Sequence, residues 1–438
     1  MDPVAYLSQV RFHQSVQCTR TQSRVTFALG GDGWDPAVTT HYGSINTHRP
    51  SFITAAAPYL HKGPILLYLL PSGCSRLLGM ILEGICRAND VSILAIDRPG
   101  SGGTRICPLQ DRIRIATQQT LSVLEALQLD RLSQPRIGLV SHSAGWVYAL
   151  ALLEAAPGFF ARSGSPTRCV FSSPFIPTSV FSSLTLSLLP KGLVALTPKV
   201  LPVVSRTLGW STGVAEDILD ISKGLFSFRD AELDPRLSEE QQRLQRDRLE
   251  KKNRDKREAS KRKNPQARFH PPYTPHLKFA LDAWKTPPPP PTLPQSENRP
   301  RHPKTNRPLK SGADLLFDYV IEEGSLEGMA EDYLLCLGKA PGLDNGELTG
   351  WLLSKLKGSF EGSVRVCGKR VEVVVLWGGE DFMIPRKGRE WLDEVLKGED
   401  LAGAVRYQQW EMAEGGHDAT IFSEDVMLDV LEFLTKDS

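Results

Sequence analysis

Three residues of this chain are of the types that could together perform acyl transfer, and they occur in the order Ser143, Asp381, His417. A serine hydroxyl is a weak nucleophile until a base stands beside it. Histidine is the side chain whose ordinary pKa lies nearest neutrality, and a carboxylate can orient the imidazole and stabilise its positive charge. Ser143 sits in SHSAGWVYALALL, where small residues recur as S-x-S-x-G through Ser141 and Gly145. By itself that spacing also fits a plain small-residue turn after a buried strand, a feature common to α/β proteins. Asp381 follows the apolar run of VEVVVLWGGEDFMIP, and His417 follows the strand-like run that opens VRYQQWEMAEGGHDATIF.

Those runs are the elements that must position the three side chains. IGLVSH from Ile137 reads as a short buried strand, and Ala144 and Gly145 let the backbone reverse into a helix beginning near Trp146. Serine then stands at the apex of a strand-turn-helix, where a base and a substrate can reach it. A strand from Val371 to Trp377 ends in a glycine turn that presents Asp381, and a strand from Val405 leads into the loop bearing His417. Upstream, strands at 65–70, 91–97 and in CVFSS from Cys169 alternate with helices near 77–87, near 112–127 and after Trp146. Residues 1–62, with runs such as VTFAL from Val25, are expected to form an antiparallel edge before the main sheet. Alternation of this kind predicts an α/β fold with a mostly parallel sheet flanked by helices. Ligands in such sheets bind beyond the carboxyl ends of the strands, where all three candidates fall.

Four ordered motifs give the chain a resemblance to a known family. GPILLYLLPSGCSRL, from Gly63, is similar to the strand and oxyanion loop of that family, and AIDRPGSGGT, from Ala95, to its Asp-Arg-Pro-Gly-x-Gly turn. S-x-S-x-G is similar to the nucleophile elbow G-x-S-x-G, and EDFMIP to the acid turn, with Pro385 four residues after Asp381. With His417 last, the series resembles the α/β-hydrolase superfamily over about residues 63–176 and from 371 onward. The resemblance implies a serine hydrolase with Ser143 as nucleophile, Asp381 and His417 completing a triad, and the backbone N–H groups of Ser72 and Ala144 as the oxyanion hole. It also implies a hydrolase core at 63–176 and 371–438, interrupted by a helical cap at 177–370. Two departures stand out: Leu70 and Pro71 occupy the place where the family usually has His-Gly, and Ser141 replaces the first glycine of the elbow. Epoxide hydrolases and haloalkane dehalogenases share the architecture but attack with aspartate, so Ser143 argues against both.

Rival residues are assigned other places. Glu380 adjoins Asp381, but the family register with Pro385 favours the aspartate. His142, beside the nucleophile, is expected to point into the core, and Asp97 and Arg98 to shape a turn through ion pairs. The glycines of DRPGSGGT do not form the G-x-G-x-x-G that opens a dinucleotide-binding helix, and nothing suggests a metal or other cofactor.

Length and composition bound the remaining possibilities. At 438 residues, 41% of them hydrophobic, the chain can build one large core and an added domain. The formal net charge of +2 does not suit a polyanion binder, and no nucleic-acid partner is expected. Seven scattered cysteines without C-x-x-C spacing fit reduced thiols better than disulfides or zinc, and the first ten residues lack the pattern of a secretion signal, so a cytoplasmic location is expected. Within the cap, SVFSSLTLSLLPKGLVALTPKVLPVV is apolar but broken by Pro190, Pro198 and Pro202, too interrupted to span a membrane. It reads as short lid helices lining a substrate cavity, with ordinary cap core and peripheral lipid contact as alternatives. GSLEGMAEDYLLCLG, from Gly324, is expected to be a second cap wall. A basic, proline-rich stretch at about 229–310 reads as a disordered insertion that buries no core, with phosphate contact as the alternative.

These readings predict an esterase-like serine hydrolase acting on a small or lipophilic acyl substrate. The alternative is a catalytically silent α/β-hydrolase domain that serves as a binding module. Oligomeric state and the particular substrate are not legible in the sequence.

Overall fold

The structure is a computed structural model. It describes residues 9–34, 63–129, 136–161, 164–181, 268–270, 326–381, 383–412, 415–417 and 419–436. All but the first three residues of the lid segment at 179–204 and most of the 229–310 stretch therefore lie outside the described residues.

The strands are β1 (Gln14–Cys18), β2 (Ser23–Gly30), β3 (Ile65–Leu69), β4 (Ser92–Ile96), β5 (Ile137–His142), β6 (Arg168–Ser172) and β7 (Arg268–His270), of which β3 to β5 are largely apolar runs. A small ribbon of β8 (Lys339–Ala340) and β9 (Leu343–Asp344) follows, then β10 (Val371–Gly378) and β11 (Val405–Met412). The main sheet runs β1-β2-β4-β3-β5-β6-β10-β11-β7. Pairing is antiparallel at β1/β2 and β2/β4 and parallel at every other junction. Strands β3 to β6 are buried along their whole length, as a parallel sheet covered on both faces requires.

Because successive side chains of a strand point to opposite faces, each strand feeds two cores. Leu67, Leu94, Leu139, Phe171 and Val373 join one core with α2 (Arg112–Ala126), α3 (Gly145–Ala155), α5 (Asn345–Cys367) and α6 (Arg386–Lys397). Leu66, Ile93, Val140, Val170 and Val374 join the other with α1 (Glu83–Ala88) and α7 (Glu424–Thr435). A further helix, α4 (Leu326–Cys336), belongs to the segment between β6 and β10, and single-turn helices lie at Thr178–Phe181, Glu399–Ala402 and Ala419–Phe422.

Three details differ from the sequence expectation. The helix expected near 77–87 opens as a 3-10 helix over Arg76–Leu82 before α1, with all seven of its residues buried between sheet and neighbours. Arg268–His270, expected to be part of a disordered insertion, is instead a strand that continues the sheet in parallel beside β11. The open backbone groups of an edge strand are a template for such an extended segment, whatever its composition. Residues 345–367, inside the stretch assigned to the cap, form a 23-residue helix whose Leu348, Leu352, Leu356 and Phe360 are buried against the core that contains α3. That helix starts at a capping box: Asp344 accepts from the N–H groups of Gly346 and Glu347, and the Glu347 carboxylate accepts from the N–H of Asp344.

All seven cysteines are free thiols. Among the described residues no helix is long and apolar enough to cross a membrane.

Candidate active site

The serine stands at the turn between a strand and a helix. Ser143 follows β5 directly and has φ 51°, a left-handed conformation that costs a non-glycine residue about 1–3 kcal/mol. Its neighbours hold it there: the Ser143 N–H donates to Ser172 O at 3.0 Å, and its carbonyl accepts from the N–H groups of Phe175 and Trp146 at 3.2 and 3.3 Å. His142 and Ala144 are buried on either side, whereas Ser143 is partly exposed. Ser141, in the position of the first elbow glycine, is fully buried between its strand partners Leu69 and Phe171. Gly145 has no such latitude, since a β-carbon there would lie 2.4 Å from Leu69 O and 2.7 Å from Leu70 O. The helix can begin only because this residue lets it press against the loop that follows β3.

Asp381 and His417 meet. His417 Nδ1 lies 2.9 Å from Asp381 Oδ2, and the two residues are 2% and 3% exposed, so this pair is shielded from water. A carboxylate can only accept, so Nδ1 carries a proton, and in the neutral ring Nε2 then keeps the lone pair. The other oxygen, Asp381 Oδ1, accepts from the N–H groups of Met383 at 2.9 Å and Ile384 at 3.1 Å. Burial alone would raise the Asp381 pKa; the facing His417, its hydrogen bond and the charge of Arg389 override this and hold the carboxyl below its ordinary value. Glu380, the rival acid, is exposed, and the contact to histidine belongs to Asp381.

Residues that the sequence reading did not single out brace these loops. Arg389 on α6 donates to Gly378 O at 2.7 Å, to Ile384 O at 2.9 Å and to Asp381 O, gripping the acid turn from outside. Thr420 Oγ1 donates to His417 O at 3.1 Å and pairs with Ser172 Oγ at 2.6 Å. Since Ser172 O also holds the Ser143 N–H, one short relay of hydrogen bonds ties the histidine loop to the serine turn. Nothing in the local sequence marks Thr420, whose partner Ser172 lies on a distant strand, whereas Arg389 reaches carbonyls 5, 8 and 11 residues before it, a local signal that the reading passed over. His142 is buried with its ring edge-on to that of His417, the centroids 5.3 Å apart.

Asp97, Arg76 and Thr26 form a buried cluster under the Asp-Arg-Pro-Gly turn, with Arg76 Nη1 at 2.8 Å and Thr26 Oγ1 at 2.6 Å from Asp97 Oδ2. Ser72 lies in the loop after β3 and Ala144 directly after the serine. Among the described residues neither of their N–H groups has a hydrogen-bond acceptor. No cluster of His, Cys, Asp and Glu with metal-binding geometry occurs among the described residues.

No family model and no curated protein sequence matches the chain. Solved structures do. An enol-lactonase from Burkholderia xenovorans LB400 is 11% identical, covers 96% of this chain and 100% of its own, and has a TM-score of 0.45. An epoxide hydrolase from Vigna radiata is 13% identical over 96% of this chain and 95% of its own, with a TM-score of 0.46. An esterase from Exiguobacterium antarcticum is 12% identical over 97% and 100%, with a TM-score of 0.43. The fold rests on the chain's own geometry. A mostly parallel sheet, a serine on a strained turn between β5 and α3, an acid after β10 and a histidine after β11 together give this chain the α/β-hydrolase fold.

Proposed function

We propose that the protein is a serine hydrolase that cleaves a carboxylic ester-like bond in a small or lipophilic acyl substrate. The observation that carries this reading is the buried Asp381–His417 pair at the sheet end where Ser143 is held at a positive φ.

In this reading His417 Nε2 takes the Ser143 hydroxyl proton as Oγ attacks the substrate carbonyl. The oxyanion that forms accepts hydrogen bonds from the N–H groups of Ala144 and Ser72. His417, now an imidazolium facing the Asp381 carboxylate, returns the proton to the departing alcohol, leaving an acyl group on Ser143. Water then enters by the same route, giving its proton to His417 as it attacks the acyl carbonyl, and the acid leaves with Ser143 restored. The reaction so drawn uses no metal or cofactor. Each oxyanion donor is worth about 100- to 1,000-fold in rate, and a triad acting as a unit about a millionfold. The free thiols of all seven cysteines suit a cytoplasmic setting for this activity.

Replacement of His-Gly by Leu70 and Pro71 favours the second reading, a silent binding module. Labelling with a fluorophosphonate probe, followed by intact mass, separates the two. One adduct on the wild type, absent from Ser143→Ala and strongly slowed in His417→Ala, is the result expected of the hydrolase. A folded wild type that takes up no probe would leave the binding module.

A further inference from the structure

The loop after β3 is held by a buried charge cluster that reaches it from α4. Arg98, which is 7% exposed, donates from Nη1 to Leu70 O and from Nη2 to Pro71 O at 2.7 Å. The same Nη2 donates to Asp332 Oδ2. Asp332, on α4 and 1% exposed, accepts at its other oxygen from Arg112 Nε at 2.8 Å and Tyr148 Oη at 2.6 Å. Arg112 closes the cluster by donating to Pro99 O at 2.7 Å and to Gly328 O, in the first turn of α4, at 3.0 Å. Arg98 also lies over the Tyr148 ring, 4.7 Å from its centroid. Two buried guanidinium groups around one carboxylate would be costly as mere packing, because each charge must be desolvated. Here the Nη groups of both arginines are spent on backbone carbonyls as well, while Arg98 Nε is left without a partner among the described residues.

One of those carbonyls matters for the reaction. The carbonyl of Pro71 and the N–H of Ser72 belong to a single planar trans peptide, so they point in opposite directions. Fixing Pro71 O on Arg98 therefore fixes the direction of the Ser72 N–H. We propose that Asp332 and Arg98 are positioning residues for the oxyanion hole: Asp332, brought by α4, holds Arg98 in the orientation that aims the Ser72 N–H. The loop that lacks His-Gly is thus organised from the segment between β6 and β10, and the hole is complete only with α4 docked. This inference rests on the serine hydrolase reading.

Fluorophosphonate labelling of the full chain tests it, with the inactivation rate constant kinact and the probe affinity KI measured separately. The variants are Arg98→Lys, which keeps the charge beside Asp332 but cannot fork to both carbonyls, and Asp332→Asn. Folding is followed by near-UV circular dichroism. Displacing a transition-state donor without touching the probe's binding surface lowers kinact on the order of 100-fold and leaves KI within about twofold. Tyr148→Phe, which removes a bond to Asp332 but none to the loop, should lower kinact by less than about tenfold. The proposal is overturned if both charge variants label at the wild-type kinact, if the loss lies in KI, or if it merely follows the unfolded fraction. Failure of the wild type itself to label would instead remove the hydrolase reading beneath it.

Discussion

Replacing Asp381 by asparagine is the sharpest test of the site, because the structure dictates how the new side chain must sit. Asp381 Oδ1 accepts from the N–H groups of Met383 and Ile384, a position only an oxygen can fill. In Asp381→Asn the amide oxygen stays there and the amide nitrogen faces His417 Nδ1, 2.9 Å from where Oδ2 was. An amide nitrogen donates, so Nδ1 must accept, and the ring proton moves to Nε2. The histidine keeps its place and loses the lone pair that would take the Ser143 proton. A histidine trapped in the wrong tautomer costs about 10⁴-fold in kcat, or about 5.4 kcal/mol at 1.36 kcal/mol per decade. Fold stability should fall by only about 1–2 kcal/mol, the difference between a charge-assisted and a neutral hydrogen bond. The assay is the pseudo-first-order uptake of a fluorophosphonate by intact mass, paired with a thermal melt. A folded variant that labels within about tenfold of the wild type would refute the role given to Asp381.

Other outcomes follow from single features of the site. Ser143→Ala and Ser143→Gly should both abolish labelling, but the glycine variant, freed from strain at φ 51°, should melt as the more stable of the two by about 1 kcal/mol. Equal melting temperatures would show that the turn stores no strain. Gly145→Ala drives a methyl into the carbonyls of Leu69 and Leu70, so urea unfolding should show a loss of about 1–3 kcal/mol together with slower labelling. Acid should weaken the fold through Asp381 and Asp332. For Asp332, burial alone would raise the pKa, but the charges of Arg112 and Arg98 override it, so both folded-state values lie below the ordinary 3.8. Their stabilisation is complete above that value and is lost as the pH falls through the folded-state pKa values, because the unfolded chain then binds protons the native state does not. Urea midpoints measured across this range should drop less steeply in Asp381→Asn, and identical slopes would contradict the assignment.

Much of this molecule was legible from local pattern. The strands that become β3 to β6 and β10 are largely apolar runs, as burial on both sides of a sheet requires, whereas β11, VRYQQWEM, is half-buried and mixed in composition. The turn at Ser143 was legible because small residues at 141, 144 and 145 are what a strand needs in order to reverse into a helix. Long-range partnership was not. Arg98 was read as an ion-paired turn residue, yet its carboxylate partner lies 234 residues away on α4, and no spacing rule links positions so distant. The same holds for Thr420, which meets Ser172 across 248 residues, and for Arg268–His270, which the sheet edge recruits out of a basic, proline-rich stretch.

By itself the sequence determined which residue types were available, in what order, and at which strand ends they fall, because hydrophobic periodicity and turn chemistry act over a few residues. Only the tertiary structure decided which carboxylate meets His417 and which side chains aim the backbone around Ser72. Those choices depend on a few ångströms of approach between strands and helices far apart in the chain, and burial in a low-dielectric interior makes each such approach count.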